Sequence, residues 1–192
     1  MQDILIKLLI IISALFISTA WAADTYKFDA DHTYVVWHVS HFGFSDVSGK
    51  LMAEGTIQFD KIKPENSSVN VVINAANDIT GIAKLDDILK GKNFFDVSEF
   101  PAATFKSTKV VVTGKDTGKI YGSLTIRGIS KNVVLDVKLN QQGMHPFFNK
   151  PALGFSASTT IKRSDYEMRG YLPGVSDEAK IDIQAEAILS NN

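Results

Sequence analysis

From residue 47 onward, apolar and polar residues alternate through most of the chain. Val47, Gly49, Leu51, Ala53, Gly55, Ile57 and Phe59 share one parity, and Ser48, Lys50, Met52, Glu54, Thr56, Gln58 and Asp60 share the other. The same rhythm runs from Val69 to Ala75, Ile120 to Ile126, Val133 to Leu139, Leu153 to Ile161 and Ile181 to Ala187. Period-two stretches predict strands with one dry and one wet face, the pattern of antiparallel sheets. Turn chemistry punctuates them at Lys115-Asp116-Thr117-Gly118, at Gly128-Ile129-Ser130-Lys131, across residues 143–151, and at Pro173-Gly174-Val175-Ser176-Asp177. One stretch has helical period instead. Ile82, Leu85, Ile88 and Leu89 fall on one face, with Thr80 as N-cap and Gly91 as the stop. That predicts a short amphipathic helix lying on the barrel.

About eight strands, each with a single dry face, must either form two facing sheets or close on themselves. The long alternating run at 47–60 favours closure, which also removes exposed edges. The expected fold is therefore all-β, a closed antiparallel eight-stranded barrel carrying one short helix. Small residues recur on the inward face: Gly49, Ala53, Gly55, Gly122, Ala157, Ala185 and Ala187. A barrel of this size is either filled by its own side chains or holds one small ligand. Small inward residues suit both a cavity and a tapered solid core. Phe94, Phe95, Phe100 and Phe105 crowd the segment after the helix. They either close a barrel end or line the mouth of an apolar cavity.

The first residues change the expected compartment. A polar start with one Lys precedes an apolar run from Leu8 to Ile17, and Ala20-Trp21-Ala22 offers a small-x-small cleavage site. This is the layout of a secretory signal peptide over residues 1–22, leaving residues 23–192 as one domain. The apolar run is short for a membrane span of about 20 residues, so stable membrane insertion is not expected. With 20 basic and 21 acidic residues, the net charge of −1 singles out no nucleic-acid partner. The chain has no cysteine, which excludes disulfides, thiolate metal sites and Cys nucleophiles.

Catalytic signatures are sparse. There is no Gly-x-Ser-x-Gly elbow, no serine followed three residues on by lysine, and no phosphate-binding loop. The histidines are His32, His38, His41 and His145. His38 and His41, three apart on a strand, point to opposite faces, so no metal or cofactor site is expected. His32 shares parity with His38 and has Asp29 and Asp31 close by, a weak arrangement for a metal. A barrel enzyme would use His38 with Asp31 or Asp165. Arg163 and Asp165, two apart, can pair at a barrel end, or Arg163 can hold a polar head group, since guanidinium suits phosphate.

Four motifs in order carry a family resemblance. They are Asp31-His32-Thr33 with His38-Val39-Ser40-His41-Phe42-Gly43, then Leu85-Asp86-Asp87-Ile88-Leu89 leading to Phe94-Phe95-Asp96 and Phe100-Pro101-Ala102-Ala103-Thr104-Phe105. After these come Gly122-Ser123-Leu124-Thr125-Ile126-Arg127-Gly128-Ile129-Ser130 and Ile161-Lys162-Arg163-Ser164-Asp165-Tyr166. Over about residues 25–189 the chain resembles the YceI-like family of periplasmic lipid-binding proteins. The resemblance implies a lipocalin-like barrel, a polyisoprenoid, prenylated quinone or fatty-acid derivative as ligand, a homodimer, and a periplasmic, non-catalytic role. Under that reading Trp37, Phe94, Phe95, Phe100, Phe105, Leu124 and Phe155 are candidate apolar lining, and His32, His38 and Arg163 the polar end. Glu167 stands where the family commonly has Gly, and Ser130 where it has Thr. A Glu167 beside the head group would repel an anion. Strands of about ten residues, tilted by about 40°, make a barrel roughly 25 Å tall. A long isoprenoid is therefore expected to bend inside or protrude.

Overall fold

The computed structural model describes residues 23–190; the expected signal peptide lies outside them. Nine strands run β1 (Asp24–Phe28), β2 (Tyr34–His41), β3 (Ser45–Phe59), β4 (Ser68–Asn74), β5 (Ala102–Val112), β6 (Thr117–Ile126), β7 (Ile129–Met144), β8 (Pro151–Lys162) and β9 (Glu178–Leu189). One α-helix, α1 (Ala83–Leu89), lies between β4 and β5. Every pairing is antiparallel, and the sheet closes through β3–β4 and β2–β9. β1 and β2 share one slot: β1 pairs with the far ends of β3 and β9, and β2 with their near ends. Nine strands thus fill the eight positions of a closed barrel. The slot is broken by residues 29–33, where the buried Thr33 hydroxyl donates to the Glu186 carbonyl and accepts from the Glu186 N–H.

The alternation read from the sequence is the inside–outside pattern of the wall. Leu51, Ala53, Ile57, Ile73, Leu135, Leu153 and Ile161 are buried. Two register shifts interrupt it, at Ser107/Lys109 and at Leu139/Gln141. Across the first, the inward residues of β5 change from Ala103 and Phe105 to Val110 and Val112, the re-aiming expected of a bulge.

Two sequence expectations are corrected in detail. The β6–β7 turn is Arg127-Gly128, with φ of 52° and 70°, and Ile129 already belongs to β7. Two consecutive positive φ values are the signature of a type I′ hairpin, whose twist matches that of its strands. The helix begins two residues later than a Thr80 cap implies. Ile82 is the capping position, and Thr80 instead donates its N–H and hydroxyl to Asp86 Oδ1. The helix lies across one barrel end, with Leu85, Ile88 and Leu89 turned inward.

That end is covered because β4 is short. β3 continues past the β4 pairing, and the chain after β4 runs beside it, with Lys50 and Ile79 exchanging backbone hydrogen bonds of 3.0 Å. Residues 75–101, which include α1, then cross the end. Residues 163–177, between β8 and β9, complete the cover. At the opposite end the connections are shorter: 60–67, 113–116 and 145–150.

Candidate functional site: an apolar cavity inside the barrel

The barrel encloses a cavity of about 710 Å³. Val35, Trp37, Leu51, Ile73, Phe105, Leu124, Leu135, Phe155, Ile161 and Ile183 contribute to its wall, and Leu85, Leu89, Phe94, Phe95 and Met168 to the covered end. The wall side chains come from strands on all sides, because period-two alternation sends every second residue into the bore. Their buried surface is hydrocarbon and aromatic. Such a space stays favourable only for an apolar guest or a dry void, since water needs polar partners.

Six of the seven predicted apolar residues line the cavity: Trp37, Phe94, Phe95, Phe105, Leu124 and Phe155. Phe100 does not. It packs against Gly128 at the β6–β7 turn, where the absent side chain makes room for its ring. The inward glycines make less space than the sequence implies. At Gly49 a Cβ would collide with the Trp37 indole and the Asp78 carboxylate, and at Gly122 with the Phe105 ring. These two positions are interdigitated packing. Gly55, with φ of 149°, has the Asn70 carbonyl where its Cβ would be. The open volume lies instead beside Ala53, Ala103, Ala157 and Ala185.

The predicted polar end is not a single place. His32 and His38 both lie outside the cavity lining. His32 Nδ1 is 2.7 Å from Asp29 Oδ2, and this hydrogen bond raises the imidazole pKa. His38 bonds Ser48 Oγ through Nδ1 at 2.7 Å and meets Asp182 Oδ2 through Nε2 at 3.2 Å. Neither Asp31 nor Asp165 is its partner. Ser48, His38 and Asp182 imitate a nucleophile triad in residue type. His38 and Ser48 are cross-strand neighbours on β2 and β3, with Asp182 beside them on β9, so the three sit together on the outer wall, away from the cavity lining.

Arg163 does reach the cavity, at its covered end. It is only 6% exposed, and burial lowers its pKa. Its Nε donates to the Ser176 carbonyl, Nη1 to those of Met168 and Gly170, and Nη2 to that of Val175. The guanidinium thus ties down residues 168–176 by satisfying their carbonyls. It does not pair with Asp165. Asp177 takes the local acidic role, accepting from the Ser164 N–H at 2.8 Å and hydroxyl at 2.7 Å. Glu167 is exposed and absent from the lining, so it does not face a guest. Its φ of 60° puts it in the left-handed region, which Gly enters without a steric cost. The departure from the family's Gly therefore strains the backbone rather than charging the cavity.

Two features have little signal in the sequence. Asp78, 3% exposed, accepts the Trp37 indole N–H on both carboxylate oxygens at 3.2 and 3.0 Å. Burial pushes its pKa up to about 6 although the indole bonds oppose the rise. The pairing spans two segments that no local pattern joins. The second feature is the polar rim of the open end. Ser67, Ser68, Lys115, Asp116 and Thr117 border the cavity where it meets the surface, beside Val112. At the covered end the border is Ile82 and Tyr171, 58% and 62% exposed, together with the exposed His41.

A closed antiparallel barrel with a capped, hydrocarbon-lined bore defines this chain as a member of the lipocalin-like class of folds. The family model for the YceI-like domain matches residues 26–187, and the chain belongs to that family. Among curated relatives, a UPF0312 protein of Pseudomonas savastanoi pv. phaseolicola is 35% identical over 172 residues, covering 88% of each chain. A UPF0312 protein of Yersinia pestis is 36% identical over 173 residues, again with 88% of each covered. Among solved structures, a Campylobacter jejuni YceI protein superposes with a TM-score of 0.71 at 30% identity, covering 79% of this chain and 90% of that one. Two more distant structures share the fold. Burkholderia cenocepacia BcnA has a TM-score of 0.75 at 24% identity, covering 83% and 98%. A polyisoprenoid binding domain from Saccharophagus degradans has 0.66 at 13%, covering 86% and 98%.

Proposed function

We propose that this protein is a non-catalytic carrier that holds the apolar chain of a lipid in its barrel, in the periplasm. The observation that carries the reading is the cavity of about 710 Å³ with its hydrocarbon lining. That volume falls within the roughly 300–1,000 Å³ of ligand sites. Each methylene buried there contributes about 0.8 kcal/mol, less the cost of ordering guest and side chains. A prenylated quinone, a polyisoprenoid or a fatty-acyl derivative supplies enough methylenes for tight binding. The polyisoprenoid binding of the Saccharophagus domain supports the polyisoprenoid class.

The two borders suggest an orientation. The head group sits among Ser67, Ser68, Lys115, Asp116 and Thr117, and the tail points towards Phe94 and Phe95. A rim with one cation, one anion and hydroxyls suits an uncharged polar head. A tail longer than the bore bends, or leaves between Ile82 and Tyr171. The periplasmic setting rests on the leader-like first 22 residues, and a homodimer on the family resemblance.

Replacing Ala157 on the cavity wall with Trp fills the bore without touching the covered end. Fluorescence titration with a short-chain prenylated quinone is expected to show at least a tenfold weaker Kd for Ala157→Trp, a loss of about 1.4 kcal/mol. Equal affinity in a folded Ala157→Trp variant would put the ligand outside the barrel.

A further inference from the structure

We propose that Asp29, His32 and Glu186 form a surface site for one divalent transition-metal ion of the zinc type, separate from the lipid cavity. The break between β1 and β2 brings them together. Asp29 and His32 sit on the excursion from 29 to 33, and Glu186 on β9. The excursion is built around Glu186: its carbonyl accepts from the Asp29 N–H at 2.9 Å and from the Thr33 hydroxyl. One ligand-capable atom from each of the three side chains lies within 4.8 Å of the others. A tetrahedral ion with bonds of about 2.0–2.1 Å wants its ligands about 3.3 Å apart. Rotation of the half-exposed Glu186 and exposed His32 side chains makes up the difference.

Charge supports a cation here. Asp29 is only 13% exposed at its side chain, and Glu186 lies close by, yet among the described residues neither pairs with Lys or Arg. Their ionic neighbours are imidazoles: His32, and His145 with Nε2 3.8 Å from Glu186 Oε2. His145 Nδ1 accepts from the Phe147 and Phe148 N–H groups, which puts its ring proton on Nε2, towards Glu186. At 3.8 Å His145 Nε2 makes no hydrogen bond to Glu186, and the fourth position of the ion goes to water. One imidazole and two carboxylates suit zinc and its neighbours in the transition series. Calcium and magnesium favour all-oxygen shells of six or more ligands, waters included, and the imidazole in this set disfavours both. The site lies in an outer depression bordered by His32, His145 and Glu186. An ion there would pin the strand break to β9.

The test is isothermal titration of untagged, chelator-treated protein with zinc chloride, with calcium and magnesium chloride as comparisons. One equivalent of zinc is expected to bind with micromolar or tighter affinity. His32→Ala and Glu186→Gln are expected to weaken it at least tenfold, while His38→Ala leaves it unchanged. Zinc should raise Tm in the parent chain and in His38→Ala, but not in His32→Ala. Circular dichroism and quinone binding, which neither variant should alter, report that the barrel is intact. Zinc binding that is absent from the parent chain, or equal in the parent and both site variants, would overturn the proposal. Tight binding of calcium in place of zinc would overturn the ligand chemistry.

Discussion

The two ends of the barrel are built on opposite principles. The covered end uses long connections, 75–101 and 163–177, anchored by buried polar groups. Arg163 binds four carbonyls, Trp37 binds Asp78, and the Arg127 guanidinium reaches across from the β6–β7 turn to the carbonyls of Lys92 and Phe94. The open end uses hairpins and a short loop whose polar residues face solvent. A sheet that closes on itself satisfies its own backbone, so its ends need protein only where water must be kept out. Excluding water at one end means burying irregular backbone, and every buried carbonyl then needs a donor. Arg163 supplies several at once, which is why a charged residue sits beside a hydrocarbon cavity.

Removing that donor is the most severe way to break the contrast. Arg163→Met leaves the carbonyls of Met168, Gly170, Val175 and Ser176 without their partner. A loss of about 3–5 kcal/mol in urea unfolding is expected. Arg163→Lys should recover little of it, because an ammonium cannot span the same fork. A loss under 1 kcal/mol for Arg163→Met would show that the covered end is held by its apolar contacts alone.

The Trp37–Asp78 anchor gives a pH signature. Burial raises the Asp78 pKa from 3.8 to about 6, so the folded chain holds this proton more tightly than the unfolded chain does. The stabilisation is complete below pH 3.8 and is lost as pH rises through 6. Relative to Asp78→Asn, the parent chain should lose about 1 kcal/mol between pH 4 and 7, after allowance for solvent screening. Thermal melts of both across that range measure it. Parallel pH profiles would mean that Asp78 is ionised at no cost.

A gain is expected at Glu167. With φ at 60°, Glu167→Gly removes left-handed strain and should stabilise by about 0.5–1 kcal/mol in chemical unfolding. Destabilisation would mean that the Glu167 side chain makes a contact worth more than the strain. The open end should respond least. Lys115→Ala with Asp116→Ala is expected to shift stability by no more than about 0.5 kcal/mol, while changing the relative affinity for neutral and anionic lipid heads. A large stability loss there would erase the difference between the ends.

The same contrast explains what was legible in the sequence. The wall was readable because period-two alternation is local: residues two apart share a face, and six of seven predicted lining residues lie on the bore. The covered end was readable only in part. Leu85, Leu89, Phe94 and Phe95 announced a dry surface, but nothing local told Phe100, which packs under Gly128, from its neighbours that face the cavity. The Arg163 acceptors are backbone carbonyls, which any sequence possesses, so the motif marked the residue without its role. His32 and Glu186 meet only because β9 closes the barrel beside the β1–β2 break. The inward glycines misled for a related reason. A missing side chain leaves space, and the cross-strand partner decides what fills it. Trp37 stands directly opposite Gly49.

Whether the cavity holds a lipid chain is read by organic extraction of the protein purified from its native host, followed by mass spectrometry of the extract. One prenyl or acyl lipid per chain is expected from the parent protein and none from Ala157→Trp. An empty extract from the parent, repeated after incubation with quinone and prenyl lipids, would contradict that expectation and leave the bore a dry void.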